Sequence, residues 1–405
     1  MGATTHPFAQ DMQTDSASKV IAARADSMYR SHIAQNRDLA ERTDARILRG
    51  SHPVRARASQ DSGVGDIARV LGPQWEAFAT RIRERHNEPT TRVLPKIFHE
   101  FGLHRMMPAI ESMNFSASST SGGGAIAAML TIRSGIDAPD HYLIDDGLLE
   151  LLLRADISDD IPMRYLRATS PRMYIEFGTR RDTGIHIHNP ASGLHQLEGA
   201  HIEIVGVDEP GGDHRPCMAV VLTGSPLGRN HPLDDATLSL VLPLWDENIS
   251  LNAAIESNIA QSRALGMRFN PTPARFWGDA RTAANLLAKA LLYIGMPSIR
   301  CQVVTEYSDA MKRLEQKSGH KAAKLRRQAF ALRDCTRITM PRPAMPGSTL
   351  EGGRSVAAHW RRPHFRLQHH GTQNSLTKVV LIDGVVVNPT GGAITESPRH
   401  YRVTT

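Results

Sequence analysis

Cysteine is nearly missing from this chain: Cys217, Cys301 and Cys335 are the only three in 405 residues. Three thiols this far apart give neither a disulfide framework nor a thiolate zinc site, and they fit a reducing compartment. Aromatic residues are also few, at 5%. No apolar run approaches the roughly 20 residues a membrane helix requires, and residues 1–10 lack the basic-then-apolar layout of a secretory signal. The expectation is a cytoplasmic protein with no membrane partner.

The motifs of the common cofactor enzymes are missing as well. The Ser/Gly-rich run 116–124 feeds an apolar segment but lacks the Gly-Lys-Ser/Thr ending of a phosphate-binding loop, so it reads as a linker. No dinucleotide fingerprint, nucleophile elbow or HExxH occurs. His99 and His104 are separated by five positions, off the shared helix face that zinc binding needs. No cofactor is expected.

What the chain does have is enough apolar content, 40%, to build a core, together with 31 glycines and 24 prolines that break it into many turns. The net charge is +7 with a pI near 9.5. Arginine outnumbers lysine, and planar guanidinium groups suit phosphate and base stacking. A polyanionic partner follows, with a mildly basic solvated surface as the plainer reading.

Apolar spacing predicts amphipathic helices over 67–85 and 93–113, a short helix over 145–154, and two more over 252–265 and 281–294, the last almost uniformly apolar. Period-two segments at 173–177, 184–188, 201–207, 217–223 and 237–244 predict strands whose short connections imply an antiparallel meander. The fold class is therefore α+β: a central antiparallel sheet packed by helices, a helical N-terminal region, and a C-terminal basic strand plus β-hairpin. The expected organisation is a polar, frayed or disordered segment at 1–60, a core domain at 61–340, and a linker with the C-terminal strand and hairpin at 341–405, packed on the core. The hairpin signal is Asp383-Gly384, flanked by apolar residues 378–382 and 385–387.

Two stretches are strongly basic. Residues 308–333 predict one helix, kinked at Gly319. Between Lys312 and Arg333 its eight cations, among them Lys321, Lys324, Arg326 and Arg327, face only Glu315, which suits a nucleic-acid backbone, with a solvated helix face as the plainer reading. The segment 359–371 packs His359, Trp360, Arg361, Arg362, His364, Arg366, His369 and His370 into thirteen residues. If it is extended, Trp360, Arg362, His364, Arg366 and Gln368 share one face, while His359, Arg361, Phe365 and Leu367 share the other. Guanidinium forks hold phosphate and an imidazole moves a proton. That assigns phosphate binding to Arg362 and Arg366, general base to His364, whose flanking cations favour the neutral ring, and general acid to His369 or His370. The plainer alternative is a basic edge strand that only binds a polyanion.

A weaker candidate is a metal site at His186 and His188, two apart on one strand face but without an identifiable third ligand. Tyr174 and Glu176 also share a strand face, where an acid partner for a histidine could stand, but pairing between elements cannot be read from sequence.

The core His-Trp-Arg-Arg-x-His-x-Arg at 359–366, followed by a spacer and an apolar strand ending in Asn388-Pro389, resembles the tail of the second type V-A anti-CRISPR family and its phage and plasmid relatives. A looser likeness covers 162–177. The matching positions are His359, Trp360, Arg361, Arg362, His364, Arg366 and Asn388; Pro363 and Phe365 depart from the pattern. The resemblance implies a mobile-element effector that represses a gene by engaging a nascent polypeptide at the ribosome and causing loss of its mRNA. The implied partners are RNA or a ribosome–nascent chain complex, and a CRISPR effector polypeptide. The His/Arg segment makes a metal-independent ribonuclease the enzymatic reading, and a non-catalytic RNA-, ribosome- or nascent-peptide-binding adaptor that recruits a host nuclease the alternative.

Overall fold

The computed structural model describes residues 50–58, 63–104, 123–178, 183–189, 193–208, 214–226, 235–264, 275–297, 299–329, 331–340 and 359–387. The expectations for 1–49, for the run 116–122, for the linker at 341–353 and for Asn388 lie outside these residues.

The described residues open with α1 (His52–Ala58), α2 (Gly63–Leu71), α3 (Trp75–Arg83), α4 (Thr90–Glu100) and α5 (Gly123–Ile136). Strands and helices then alternate: β1 (Asp140–Ile144), α6 (Asp146–Arg154), β2 (Asp156–Ile157), β3 (Arg172–Phe177), β4 (His186–Asn189), β5 (Gly193–Asp208), β6 (His214–Pro226), β7 (Ala236–Pro243), α7 (Leu251–Ala264) and α8 (Phe276–Ile294). The last part holds β8 (Arg300–Thr305), α9 (Glu306–Glu315), α10 (Gly319–Ala329), β9 (Asp334–Thr339), β10 (His359–Arg361), β11 (His364–His370), β12 (Leu376–Ile382) and β13 (Val385–Val387). Among the described residues no helix is long and apolar enough to cross a membrane.

Eight strands form one mixed sheet in the order β7-β6-β5-β3-β1-β9-β8, with β4 paired to β5. The antiparallel meander expected from the short connections is β5-β6-β7, extended by β3 and β4. The middle is parallel: β1 pairs in parallel with both β3 and β9. Parallel strands require long crossovers and helices on both faces, and every residue of β3 is accordingly buried.

Strand alternation gives the two faces opposite chemistry. One face carries Met173, Ile175, Phe177, Ile202, Val220, Leu222 and Leu240, and packs against α6, α7 and the largely buried α8 in the main core. Asp145 starts α6 as its cap, accepting from the Leu148 amide at 2.7 Å. At its other end Lys289 Nζ donates to the Ala155 carbonyl at 2.9 Å, a cation on the negative pole of the helix. Burial pulls the Lys289 ammonium down to about 8.

The opposite face carries Arg172, Tyr174, Glu176, His201, Glu203 and Thr223, all buried. Helices α1, α4 and α5 supply their partners. Arg55 is fully buried, donating to Glu198 at 3.0 and 2.5 Å and to Asp235 at 2.7 and 3.1 Å. Arg172 donates to Asp137 at 2.5 Å, and Glu203 accepts from Thr90 Oγ1 at 2.6 Å at the start of α4. A bulge in β5 between Leu197 and Gly199 inserts Glu198, whose carboxylate meets Arg55 and Ser225. Gly199 is required there, since a Cβ would lie 2.4 Å from the Tyr174 hydroxyl.

Four local expectations change. The helix read over 67–85 is two, because Gly72 at φ +50 followed by Pro73 breaks it. The basic helix read over 308–333 is α9 and α10, separated at 316–318 with Gly319 at φ +60. Strand β5 is twice as long as its apolar alternation suggested, because the bulge interrupts the pattern. The hairpin turn is not at Asp383-Gly384. Residues 359–370 pair with 376–387 in one register, from His359 opposite Val387 to His370 opposite Leu376. The turn is therefore at 371–375, where Gly371, Gln373 and Asn374 take φ of +80, +54 and +57. Asp383-Gly384 sits midway along the ribbon, opposite Arg362-Pro363, where proline has no N–H for the ladder.

Arg55 sits between two buried carboxylates, so Arg55→Ala leaves both without their cation. A loss of about 3–5 kcal/mol in unfolding free energy is expected from urea titration. A loss below about 1 kcal/mol would show that the ionic layer does not hold α1 on the sheet.

Candidate functional site

The His/Arg segment is one arm of the ribbon, and β2 docks it on the core. β11 pairs in parallel with β2, and the carbonyls of Pro363 and Phe365 accept from the amides of Asp156 and Ser158, each at 3.0 Å. The Phe365 side chain is fully buried in the main core. On the other arm, the Thr377 hydroxyl is hydrogen-bonded to the hydroxyl of Tyr165. The two stretches that resemble the anti-CRISPR family thus touch in space. Beside Tyr165 lies Arg164, its guanidinium carbon 5.4 Å from the ring centre, a cation beside the ribbon that belongs to the looser 162–177 likeness.

Arg361, Arg362, Arg366 and His369 are exposed, and His364, Gln368 and His370 are half-buried. The side chains of His359, Trp360 and Arg327 lie outside the described residues. His364 meets Arg361, which simple alternation placed on the other face: Arg361 Nη2 lies 3.2 Å from His364 Nε2, and His364 Nδ1 lies 3.2 Å from the Arg362 carbonyl. The cause is Pro363, which interrupts the strand between the two. A carbonyl can only accept, so Nδ1 carries the proton and Nε2 accepts from Arg361.

This geometry does not assemble the expected acid–base pair. His364 and His370 stand at opposite ends of the β11–β12 ladder, about 20 Å apart at the ordinary strand rise. His369 is one residue nearer and on the opposite face. One phosphodiester cannot bridge either pair.

The other sequence candidates are dispersed. Lys321, Lys324 and Arg326 are exposed on α10, and no hydrogen bond or ion pair joins them to the ribbon among the described residues. His186 and His188 share a face of β4, but Arg275 Nη2 lies 3.3 Å from His186 Nδ1. Burial, and for His186 then Arg275, lowers both imidazole pKa values. Among the described residues no three metal-ligating side chains converge.

Sequence patterns missed a second constellation on the polar sheet face. The rings of His141, Tyr174, His201 and His52 follow one another with centres 5.1, 4.7 and 5.1 Å apart. His52 Nδ1 lies 3.0 Å from His201 Nε2. His141 Nε2 lies 2.8 Å from Glu176 Oε2, and Arg333 Nη2 reaches the same carboxylate at 2.8 and 3.0 Å. This end of the row opens into a cleft of about 490 Å³ bounded by α1, β1, β8, β9 and α9. The shared face of Tyr174 and Glu176 was the one legible signal; their histidine partners come from β1 and β5.

Burial sets the charge state of these rings. It lowers His52 to about 4, with help from Arg55, and His201 well below the usual imidazole range, with help from His52 and Arg172. His141 is lowered by burial in spite of Glu176, and His195, also buried, falls to about 4. Burial likewise raises the Tyr174 hydroxyl well above 10.

Fold and ribbon together define an α+β protein that presents a basic hairpin docked on a mixed sheet. The chain belongs to the AcrVA2-like family, the anti-CRISPR type V subtype A2 family, whose model matches residues 142–389, more than half of its length. The match begins within β1 and ends just beyond β13, so it contains Glu176, Arg333 and the ribbon, while α1 to α5 precede it. A solved structure titled "Crystal structure of AcrVA2" is similar at 12% identity with a TM-score of 0.40, covering 80% of this chain and 97% of that one. No curated protein matches the chain.

The buried histidines give a signed pH dependence. His52 and His195 titrate near 4 when folded and near 6.5 when unfolded, so on acidification the unfolded chain takes up their protons first. Stability is expected to hold above about pH 7 and to fall between 6.5 and 4, by on the order of 3 kcal/mol for each histidine. Denaturant midpoints measured across that range test it; a flat profile contradicts buried neutral rings.

Proposed function

We propose that this anti-CRISPR family protein represses a target gene at the level of its mRNA and nascent chain, and that the 359–387 ribbon is the element that grips RNA. The observation that carries this reading is the exposed cationic row on the docked ribbon. Arg361, Arg362 and Arg366 are open to solvent on one arm, Lys378 lies on the other, and Asp383 is the one carboxylate in 359–387. Guanidinium groups on a rigid strand suit phosphate contacts along a single strand. Lys321, Lys324 and Arg326 on α10 add a second basic surface for a partner as large as a ribosome–nascent chain complex, here one translating a CRISPR effector polypeptide.

The ribbon is a grip in this reading. The distance from His364 to His370, and the engagement of both His364 nitrogens, disfavour cleavage by the ribbon itself. Removal of the RNA then falls to a host nuclease recruited to the complex or to another part of the chain.

Fluorescence anisotropy with single-stranded RNA tests the grip. Replacing Arg361, Arg362 and Arg366 together by Ala is expected to weaken binding roughly ten- to a hundredfold and to reduce the slope of log affinity against log salt by about 2. Unchanged affinity and slope would remove the ribbon from the proposal.

A further inference from the structure

The cleft over β1 and β9 contains a constellation that the ribbon reading leaves unused. Its floor is His141, bonded through Nε2 to Glu176. A carboxylate in this bond accepts, so Nε2 carries the proton and Nδ1 is left as the acceptor. Nδ1 makes no hydrogen bond to any described residue. Arg333 lies against the same Glu176 oxygen from the other side, at 2.8 Å. Its Nη1 likewise makes no bond to a described residue. The imidazole and the guanidinium are therefore held on one shared carboxylate, His141 Nε2 and Arg333 Nη2 each 2.8 Å from Glu176 Oε2.

The walls add Arg57, whose guanidinium carbon is 4.0 Å from the centre of the Tyr307 ring and which also donates to the Leu332 carbonyl. Ser308 at the start of α9 is fixed by Asp334, which accepts from the backbone amides of Tyr307 and Ser308 at 3.0 Å each. The volume, about 490 Å³, lies within the ordinary range of small-ligand sites, about 300–1,000 Å³.

A ligand complementary to this floor offers a hydroxyl to the imidazole nitrogen and, next to it, an anionic group to the guanidinium. A ribose 2′-hydroxyl beside its 3′-phosphate has that pattern, and a deoxyribose does not. We propose that the cleft is a ribonucleotide site in which His141 takes the proton of a 2′-hydroxyl and Arg333 holds the adjacent phosphate. The proposal rests on the reading that RNA is the partner, and it goes beyond it by assigning a cutting site away from the ribbon.

The step balances without a co-reactant. The 2′-oxygen bonds to phosphorus as Nδ1 accepts its proton, the bond from phosphorus to the 5′-oxygen breaks, and that oxygen takes a proton from water. The products are a 2′,3′-cyclic phosphate and a 5′-hydroxyl, and the imidazolium returns its proton to the hydroxide formed. Glu176 steadies the ring while it is charged, and Arg333 offsets the charge that gathers on the phosphoryl oxygens.

The test uses the full chain with end-labelled single-stranded RNA in EDTA, beside the same RNA carrying 2′-deoxyribose or 2′-O-methylribose at the scissile positions. Cleavage of the unmodified strand to cyclic-phosphate ends is expected, with the substituted strands intact. His141→Ala should lower the rate at least a hundredfold, with its urea midpoint recorded to separate lost chemistry from lost fold. The modified substrates keep the test valid if that variant does not fold, because they leave the protein unchanged. Cleavage that ignores the 2′-substitution, or that persists in a folded His141→Ala protein, overturns the proposal. RNA that binds and stays intact overturns it while leaving the ribbon reading standing. Absence of RNA binding brings down the ribbon reading itself.

Discussion

Burial of charge on one face of the sheet is the constraint from which the rest follows. Removing an ionised side chain from water costs several kcal/mol unless a partner meets it with good geometry. Arg55, Arg172, Glu198 and Glu203 are all less than 4% exposed. Their partners come from segments far away in sequence: Arg55 in α1 meets Glu198 in the β5 bulge and Asp235 just before β7, and Arg172 in β3 meets Asp137 after α5. Such contacts tolerate little displacement, so α1, α4 and α5 are fixed in one position on the sheet. The apolar face has no such requirement, because Leu, Ile and Ala on α8 are satisfied by any close packing.

Two chemically different regions result: the ribbon, Glu176 and Arg333 lie inside the segment that matches the family, and His141 lies one residue before it. The ribbon presents arginines to solvent on a strand whose Phe365 is anchored in the core. The cleft places one imidazole and one guanidinium on a single buried carboxylate. The N-terminal helices lie outside the matched residues, yet α1 forms one wall of the cleft and α5 covers the neighbouring part of the same face. What those helices do to the sheet is thus tied to what the site can reach.

Much of the architecture is legible locally. Helix α8 is visible as an apolar run, and β3, β6 and β7 are visible as alternation, because periodicity of 3.6 or 2 is carried by neighbours in sequence. The misreadings occur where pairing partners decide. Asp383-Gly384 has the composition of a tight turn, but β12 pairs with β11 and β13 with β10, so the chain passes straight through it. Gly371 to Ser375 makes the turn with a less distinctive composition. Alternation put Arg361 and His364 on opposite faces; one proline between them brought their side chains together.

The sequence alone determined the element types, the α+β class, the basic character of 359–370 and the positions that resemble the anti-CRISPR family. Each of these is a property of residues close in the chain. Tertiary structure decided which charges meet. The bond between His141 and Glu176, the clamp on Arg55 and the docking of β11 on β2 depend on strand register and sheet order. Both are set by contacts across tens to hundreds of residues, and no local pattern encodes them.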